Sequence, residues 1–202
     1  KFGTQKFIVY FQSFTNTYAP FSTLKALYEK ALSFDDVIGL SIGTRTDCVT
    51  DDILDYLYEK SKEQEIWIEY GIQSFFQTTL DKINRADNIE NMRYWIKRTK
   101  DKGLNVCGHL IYGLPDENQE MMLETFKQTI DLKVDSIKFH PLYVVKNTLL
   151  TNEFKKGRFT PISEELYIDT VVKSIINLPQ NVSVQRVTAG IDDDTLLSPL
   201  WC

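Results

Sequence analysis

One pattern constrains this 202-residue chain more than any other. Short apolar runs rich in β-branched and aromatic residues recur along it, and each is followed by a stretch with helical periodicity. The runs fall at residues 7–11, 37–42, 66–72, 106–112, 136–142 and, more weakly, 182–187. Between them the spacing predicts helices over about 21–32, 51–62, 76–83, 89–102, 118–132 and 163–176. Strands that read as continuous apolar runs, alternating with helices, call for a parallel sheet covered on its faces. The expected fold is therefore α/β: an open or partial (β/α) barrel of about six parallel strands with outer helices, spanning 1–202 as one domain. A doubly wound sheet accommodates the same order, but no G-x-G-x-x-G follows any strand, so a dinucleotide fold lacks its fingerprint. The stretch 141–161 reads as one long irregular loop carrying Lys146, Lys155, Lys156 and Arg158, and loops of that length are often functional.

Charge and cysteine usage narrow the function classes. Lys plus Arg number 23 and Asp plus Glu 28, a formal net charge of −5, with no basic stripe suited to nucleic acid or to an anionic membrane. No apolar run approaches the roughly 18 residues of a membrane span, and the opening residues do not form a secretory signal. Cys48, Cys107 and Cys202 are odd in number and widely spaced, which argues for a reducing compartment and fits no zinc or iron–sulfur spacing. A soluble, cytoplasmic protein without a membrane partner is expected. The chain opens with Lys1 rather than Met, almost directly before its first strand, so a fragment of a longer protein is expected too.

In parallel α/β architectures the site lies at the C-terminal ends of the strands. There the sequence collects Gln12-Ser13-Phe14-Thr15-Asn16, then Gly43-Thr44-Arg45-Thr46-Asp47-Cys48, then Gly71-Ile72-Gln73-Ser74, then Gly113-Leu114-Pro115. Glu69, His109 and His140 lie within strands, so both histidines of the chain would line the barrel. Ordinary readings compete with each. Gln12 to Asn16 suit a turn before a helix, Arg45 and Asp47 suit a surface ion pair, and either histidine suits a satisfied core position. No Ser-His-Asp, Cys-His or metal-ligand set assembles from the spacing.

Two motifs carry a resemblance. His109-Leu-Ile-Tyr-Gly-Leu-Pro115 with Glu117 resembles the fifth-strand motif of radical S-adenosylmethionine enzymes, which helps to hold the adenine; this puts Gly113 and Leu114 near the base. Gly71-Ile-Gln73-Ser74 followed by Ile83-Asn84-Arg85 resembles a pattern of oxygen-independent coproporphyrinogen oxidase-like enzymes, in which glutamine and arginine, here twelve positions apart, contact the ribose and carboxylate of the cofactor. Four ordered segments, at 10–20, 39–48, 108–115 and 140–146, are similar to the YhcC-type radical S-adenosylmethionine family, related to the Elongator catalytic subunit. The resemblance implies that Gln12, Ser13, Thr15 and Asn16 face the methionine amino group. By the same likeness Thr44, Arg45 and Asp47 meet cofactor or substrate, and His109 stands where relatives place an acidic or small polar residue beside the ribose. His140 and Lys146 fall on the substrate side.

The resemblance further implies reductive cleavage of S-adenosylmethionine at a 4Fe-4S cluster to a 5′-deoxyadenosyl radical. That radical takes hydrogen from an unknown substrate, with an electron donor such as flavodoxin or ferredoxin. Kinship with the Elongator subunit brings in RNA modification, to which the charge of −5 lends no support. The family's C-x-x-x-C-x-x-C motif is absent. The cluster cysteines and first strand are therefore expected upstream of Lys1, and no metal ligand is assigned in this chain, which by itself is expected to be inactive. Two other classes compete: a cluster-less module that binds S-adenosylmethionine or a nucleotide, and an ordinary barrel lyase or hydrolase using a pair such as Glu69 and His109.

Overall fold

The structure is a computed structural model that describes residues 3–190 and 194–202. Its main sheet has six parallel strands: β1 (Phe7–Phe11), β2 (Val37–Thr44), β3 (Glu65–Gln73), β4 (Asn105–Tyr112), β5 (Ser136–Pro141) and β7 (Ser183–Arg186). They run in the order β1-β2-β3-β4-β5-β7, so neighbours in sequence are neighbours in space. Each crossover carries a helix: α1 (Phe21–Leu32), α2 (Asp51–Ser61), α3 and α4 (Gln77–Lys82, Ile89–Asp101), α5 (Gln119–Asp131) and α7 (Glu164–Ile176). This is the expected partial barrel.

Alternation along each strand separates two faces. Leu40 and Ile42, Ile68, Tyr70 and Ile72, Leu110 and Tyr112, and Ile137 and Phe139 are at most 1% exposed and pack outward against the helices. The helices answer with Leu24 and Tyr28, Ile53, Leu54 and Leu57, Met92 and Ile96, Met122 and Phe126, and Tyr167 and Val171. Each such side chain contributes about 1.5–3 kcal/mol through burial. The intervening positions, Ser41, Gly43, Glu69, Gly71, His109, Lys138 and His140, turn to the concave face, which is therefore polar rather than apolar.

Side-chain caps start three helices where they begin in the sequence. Asn88, Asn118 and Ser163 accept from the N–H groups of Asn91, Met121 and Leu166, at about 1 kcal/mol each. Thr50 holds the same position before α2 without a capping bond. The segment 141–161 is not one irregular loop. It contains β6 (Val144–Val145), paired antiparallel with β8 (Leu196–Ser198), and α6 (Leu149–Lys155), whose cap is Thr148. The seven residues of α6 are too few for their periodicity to stand out against the surrounding lysines. No helix among the described residues is long and apolar enough to cross a membrane.

Candidate functional site

The curl of the sheet leaves a cleft of about 370 Å³ over the strand ends. Eight of the residues expected at a site line it: Gln12, Thr15, Thr44, Arg45, Gln73, Arg85, His109 and His140. Its geometry begins with an irregularity in β3. The register with β4 slips between Gly71 and Gln73, and Gln73 adopts φ 69°, closed by Ser74 N–H donating to the Ile72 carbonyl at 2.9 Å. A left-handed conformation at a non-glycine residue is strained and persists only where its surroundings hold it. The consequence here is that Gln73 folds back over Gly71. A β-carbon on Gly71 would come within 2.8 Å of Gln73 Nε2 and 3.3 Å of an Arg85 nitrogen, so glycine lets both side chains close over the strand. One Arg85 nitrogen donates to the Gly71 carbonyl at 2.5 Å. Burial lowers the Arg85 pKa, and Arg45 adds to that effect, but an arginine starting above 12 remains a cation.

Below this rim lies a buried charge network that the sequence reading had only touched. Glu69, 2% exposed, accepts from Tyr10 Oη at 2.9 Å, His109 Nε2 at 2.5 Å and Lys138 Nζ at 2.5 Å through one oxygen, and from Ser41 Oγ through the other. The Lys138 ammonium also lies 4.3 Å from the Tyr10 ring centre. Burial alone would raise the Glu69 pKa, but the hydrogen bonds from His109, Lys138 and Ser41 outweigh it and hold the carboxyl at about 2. His109 and His140 stack with ring centres 5.7 Å apart. Burial, then the neighbouring cationic groups, push His140 down to about 4. Burial also lowers His109, although Glu69 pulls the other way. Both imidazoles are thus neutral near pH 7, and His109 spends its Nε2 proton on Glu69.

The remaining expected residues divide by place. Asn16 ties two strand ends together, its Nδ2 donating to the carbonyls of Phe11 and Gly43, each at 2.9 Å. Ser13 is exposed outside the lining. Asp47 grips Arg45 through both carboxylate oxygens and faces a neighbouring cavity, not the cleft. Ser74 is fully buried and donates to Glu117, joining the loops after β3 and β4. Gly113 and Leu114 line a separate cavity, and a β-carbon on Gly113 would meet Ile162 Cβ at 2.7 Å. Ile162 therefore fills the space beside the α-carbon of that glycine. Lys146 points away and lies 3.3 Å from Asp194. Tyr10, Phe14 and Arg186 complete the cleft without having been singled out from sequence.

Two atoms reveal what the cleft lacks. Gln73 Oε1 and Arg85 Nε are buried with no hydrogen-bond partner, and buried polar groups are ordinarily paired. An amide and a guanidinium fork at the rim of a polar cleft suit a small molecule with hydroxyls and a carboxylate. A metal is a poorer fit. Glu69, Cys107 and His109 place ligand atoms within 4.8 Å of one another, but Lys138 already neutralises Glu69 and burial pushes the Cys107 thiol up to about 12. Nor do three thiolates converge among the described residues. Cys107 is within the barrel, Cys48 lies beside Asp47, and Cys202 contacts the Pro199 carbonyl.

Comparison with known proteins supplies the family. The Radical SAM superfamily model matches residues 1–129, and the Radical_SAM C-terminal domain model matches residues 134–202. The chain belongs to the radical SAM superfamily. As a radical SAM chain it is 38% identical over 199 residues to Protein YhcC of Escherichia coli, which covers 98% of this chain and 64% of YhcC. It thus spans less than two thirds of that relative's length. Among solved structures it superposes on the archaeal Elp3 of Methanocaldococcus infernus with a TM-score of 0.74 at 24% identity, covering 86% of this chain and 41% of that one. For coproporphyrinogen III oxidase (HemN) from Escherichia coli the values are 0.62, 20%, 83% and 38%. At these identities the two structures show a shared partial-barrel fold and nothing further.

Proposed function

We propose that the concave cleft binds S-adenosylmethionine and that the whole protein is an enzyme that uses it as a radical source. The observation that carries this reading is the pair of unpartnered buried atoms, Gln73 Oε1 and Arg85 Nε, at the rim of a polar cleft in a superfamily that takes this cofactor. Arg85 would hold the methionine carboxylate, a charge-assisted contact to a planar anion. Gln73 would hydrogen-bond a ribose hydroxyl. His109, its Nε2 proton committed to Glu69, keeps Nδ1 as an acceptor that could face a ribose hydroxyl. When bound and reductively cleaved, S-adenosylmethionine supplies a 5′-deoxyadenosyl radical that takes hydrogen from substrate. The protein's part is to bind, orient and exclude water. Gln12, Thr15, Thr44 and Arg45 close the rim around the methionine end.

Cys48, Cys107 and Cys202 do not fit a cluster, so its thiolates and the docking of a flavodoxin- or ferredoxin-type donor belong to sequence outside these 202 residues in this proposal. Kinship with Elongator complex protein 3 brings in RNA as a candidate substrate, without support from the net charge of −5, and a cytoplasmic enzyme is part of the same proposal. The test is the protein expressed from its full reading frame, reconstituted anaerobically with iron and sulfide, reduced, and assayed for 5′-deoxyadenosine by chromatography. Its formation supports the reading. Binding of S-adenosylmethionine without 5′-deoxyadenosine would assign the chain to a cluster-less binding module, and no binding at all would remove the cofactor from the cleft.

A further inference from the structure

The cleft holds one cation that the cofactor reading leaves unused. Four basic side chains touch or underlie it, and two are neutralised within the fold, Arg45 by Asp47 and Lys138 by Glu69. Arg85 and Arg186 form no ion pair among the described residues, in a chain whose overall charge is −5. Register places Gly71, His109, Lys138 and Arg186 in one row across β3, β4, β5 and β7. Arg85 hangs from the Gly71 carbonyl at one end of that row, and Arg186 occupies the other. Three strand spacings separate the ends, roughly 14 Å along the sheet. The two heads are held by different partners, Arg85 by the Gly71 carbonyl and Arg186 by His140, and S-adenosylmethionine has a single carboxylate.

The surroundings of Arg186 suit a second ligand. Its Nη1 lies 3.4 Å from His140 Nε2, a long contact to a neutral acceptor, and among the described residues its other donors meet no side-chain acceptor. Glu69, on the same concave face, already accepts from four groups. Beside His140 a smaller cavity of about 160 Å³ opens, its far wall formed by Ile111, Pro141, Leu142 and Tyr143 and its near side by Gln73 and His109. A polar head at Arg186 would therefore be followed by an apolar or planar body.

We infer that Arg186, with His140 beside it, is the anion-binding subsite of the substrate, and that the substrate presents a carboxylate or phosphate group there. This rests on the reading that Arg85 and Gln73 take the cofactor, and nothing in the family match assigns it. The test titrates the chain with inorganic phosphate and separately with citrate, following the His140 ring signals in every variant and the Arg186 and Arg85 Nε–H signals where those residues are present, by nuclear magnetic resonance. Wild type and the Arg186→Gln, Arg186→Lys and Arg85→Gln variants are compared, each first checked by thermal melting. The expected result is a saturable shift at Arg186 with one or both anions. The affinity should fall at least tenfold in Arg186→Gln and about threefold in Arg186→Lys, which keeps the charge and loses the fork, and should stay within twofold in Arg85→Gln. Response to phosphate alone or to citrate alone identifies which group the substrate carries. No saturable shift at Arg186, or an affinity in Arg186→Gln within twofold of wild type, overturns the inference. A parallel titration with S-adenosylmethionine separates the two claims. An anion response at Arg186 without a cofactor response at Arg85 sinks only the cofactor reading, and the reverse sinks only this one.

Discussion

Replacing Glu69 by glutamine tests the buried network directly. The substitution keeps shape and two hydrogen-bonding atoms but removes the charge that faces Lys138, whose side chain is 7% exposed. Breaking one partner of a buried ion pair leaves the other charge uncompensated and costs about 3–5 kcal/mol. The carboxyl's own titration gives a second measure. A carboxyl held at about 2, against an ordinary 4.5, corresponds to about 3 kcal/mol of preferential stabilisation of the charged form. The two agree, so Glu69→Gln should lower stability by about 3–4 kcal/mol, or the melting temperature by on the order of 10 °C for a chain of this size. Because the folded pKa is depressed, this contribution is present above pH 4.5 and is lost as pH falls toward about 2. The variant should lack that portion of the acid dependence. Glu69→Gln combined with Lys138→Met removes both charges and should recover much of the loss. Urea denaturation followed by circular dichroism at pH 7 and pH 3 measures all three. A single-variant loss below 1 kcal/mol at pH 7, or a double variant less stable than the single one, would refute the argument that the pair is a mutually dependent buried charge.

Other outcomes follow from the same geometry. Gly113→Val places a branched side chain at φ 86° and against Ile162, so it should destabilise the fold by about 3 kcal/mol or more through strain and overpacking, measured by thermal melting; a wild-type melting temperature would show that the turn adapts. His140 should remain neutral down to about pH 4, and Arg186→Gln should raise its pKa by removing a nearby positive charge; proton titration by nuclear magnetic resonance reports both. Stability should also fall as pH drops from about 6.5 to about 4, because the unfolded state takes up the imidazole proton first. Cys107, fully buried and pushed up to about 12, should resist iodoacetamide at pH 8 in the native protein while Cys48 and Cys202 react, as peptide mass analysis would show.

The barrel was readable because apolar runs and helical spacing report burial, and every main-sheet strand lies at or beside its expected run. The chemistry of the concave face was less so. Reading those runs as continuously apolar hid a period-two signal. In Ser136-Ile-Lys-Phe-His-Pro the residues Lys138 and His140 alternate with Ile137 and Phe139, and Glu69, Gly71 and Gln73 alternate with Ile68, Tyr70 and Ile72. That alternation identifies a polar inner face and would have exposed Lys138 as the partner of Glu69. Arg186 was beyond reach of the same logic, since the register slips between Ile137 and Lys138 where β7 joins. Motif likeness named Gln73, Arg85 and His109, which the fold brings to one cleft, and also Gly113 and Leu114, which it places in another beside Met122 of the following helix and the distant Ile162. Spacing cannot reveal which of two cavities a turn will face.

The central claim is that the Gln73–Arg85 rim takes S-adenosylmethionine, and the most direct measurement is its affinity for the wild-type protein and for Arg85→Ala by titration calorimetry. Loss of one charge-assisted contact should weaken saturable one-to-one binding by about 1.5–3 kcal/mol, a factor of about 10 to 150. Affinity unchanged by the substitution would contradict the assignment.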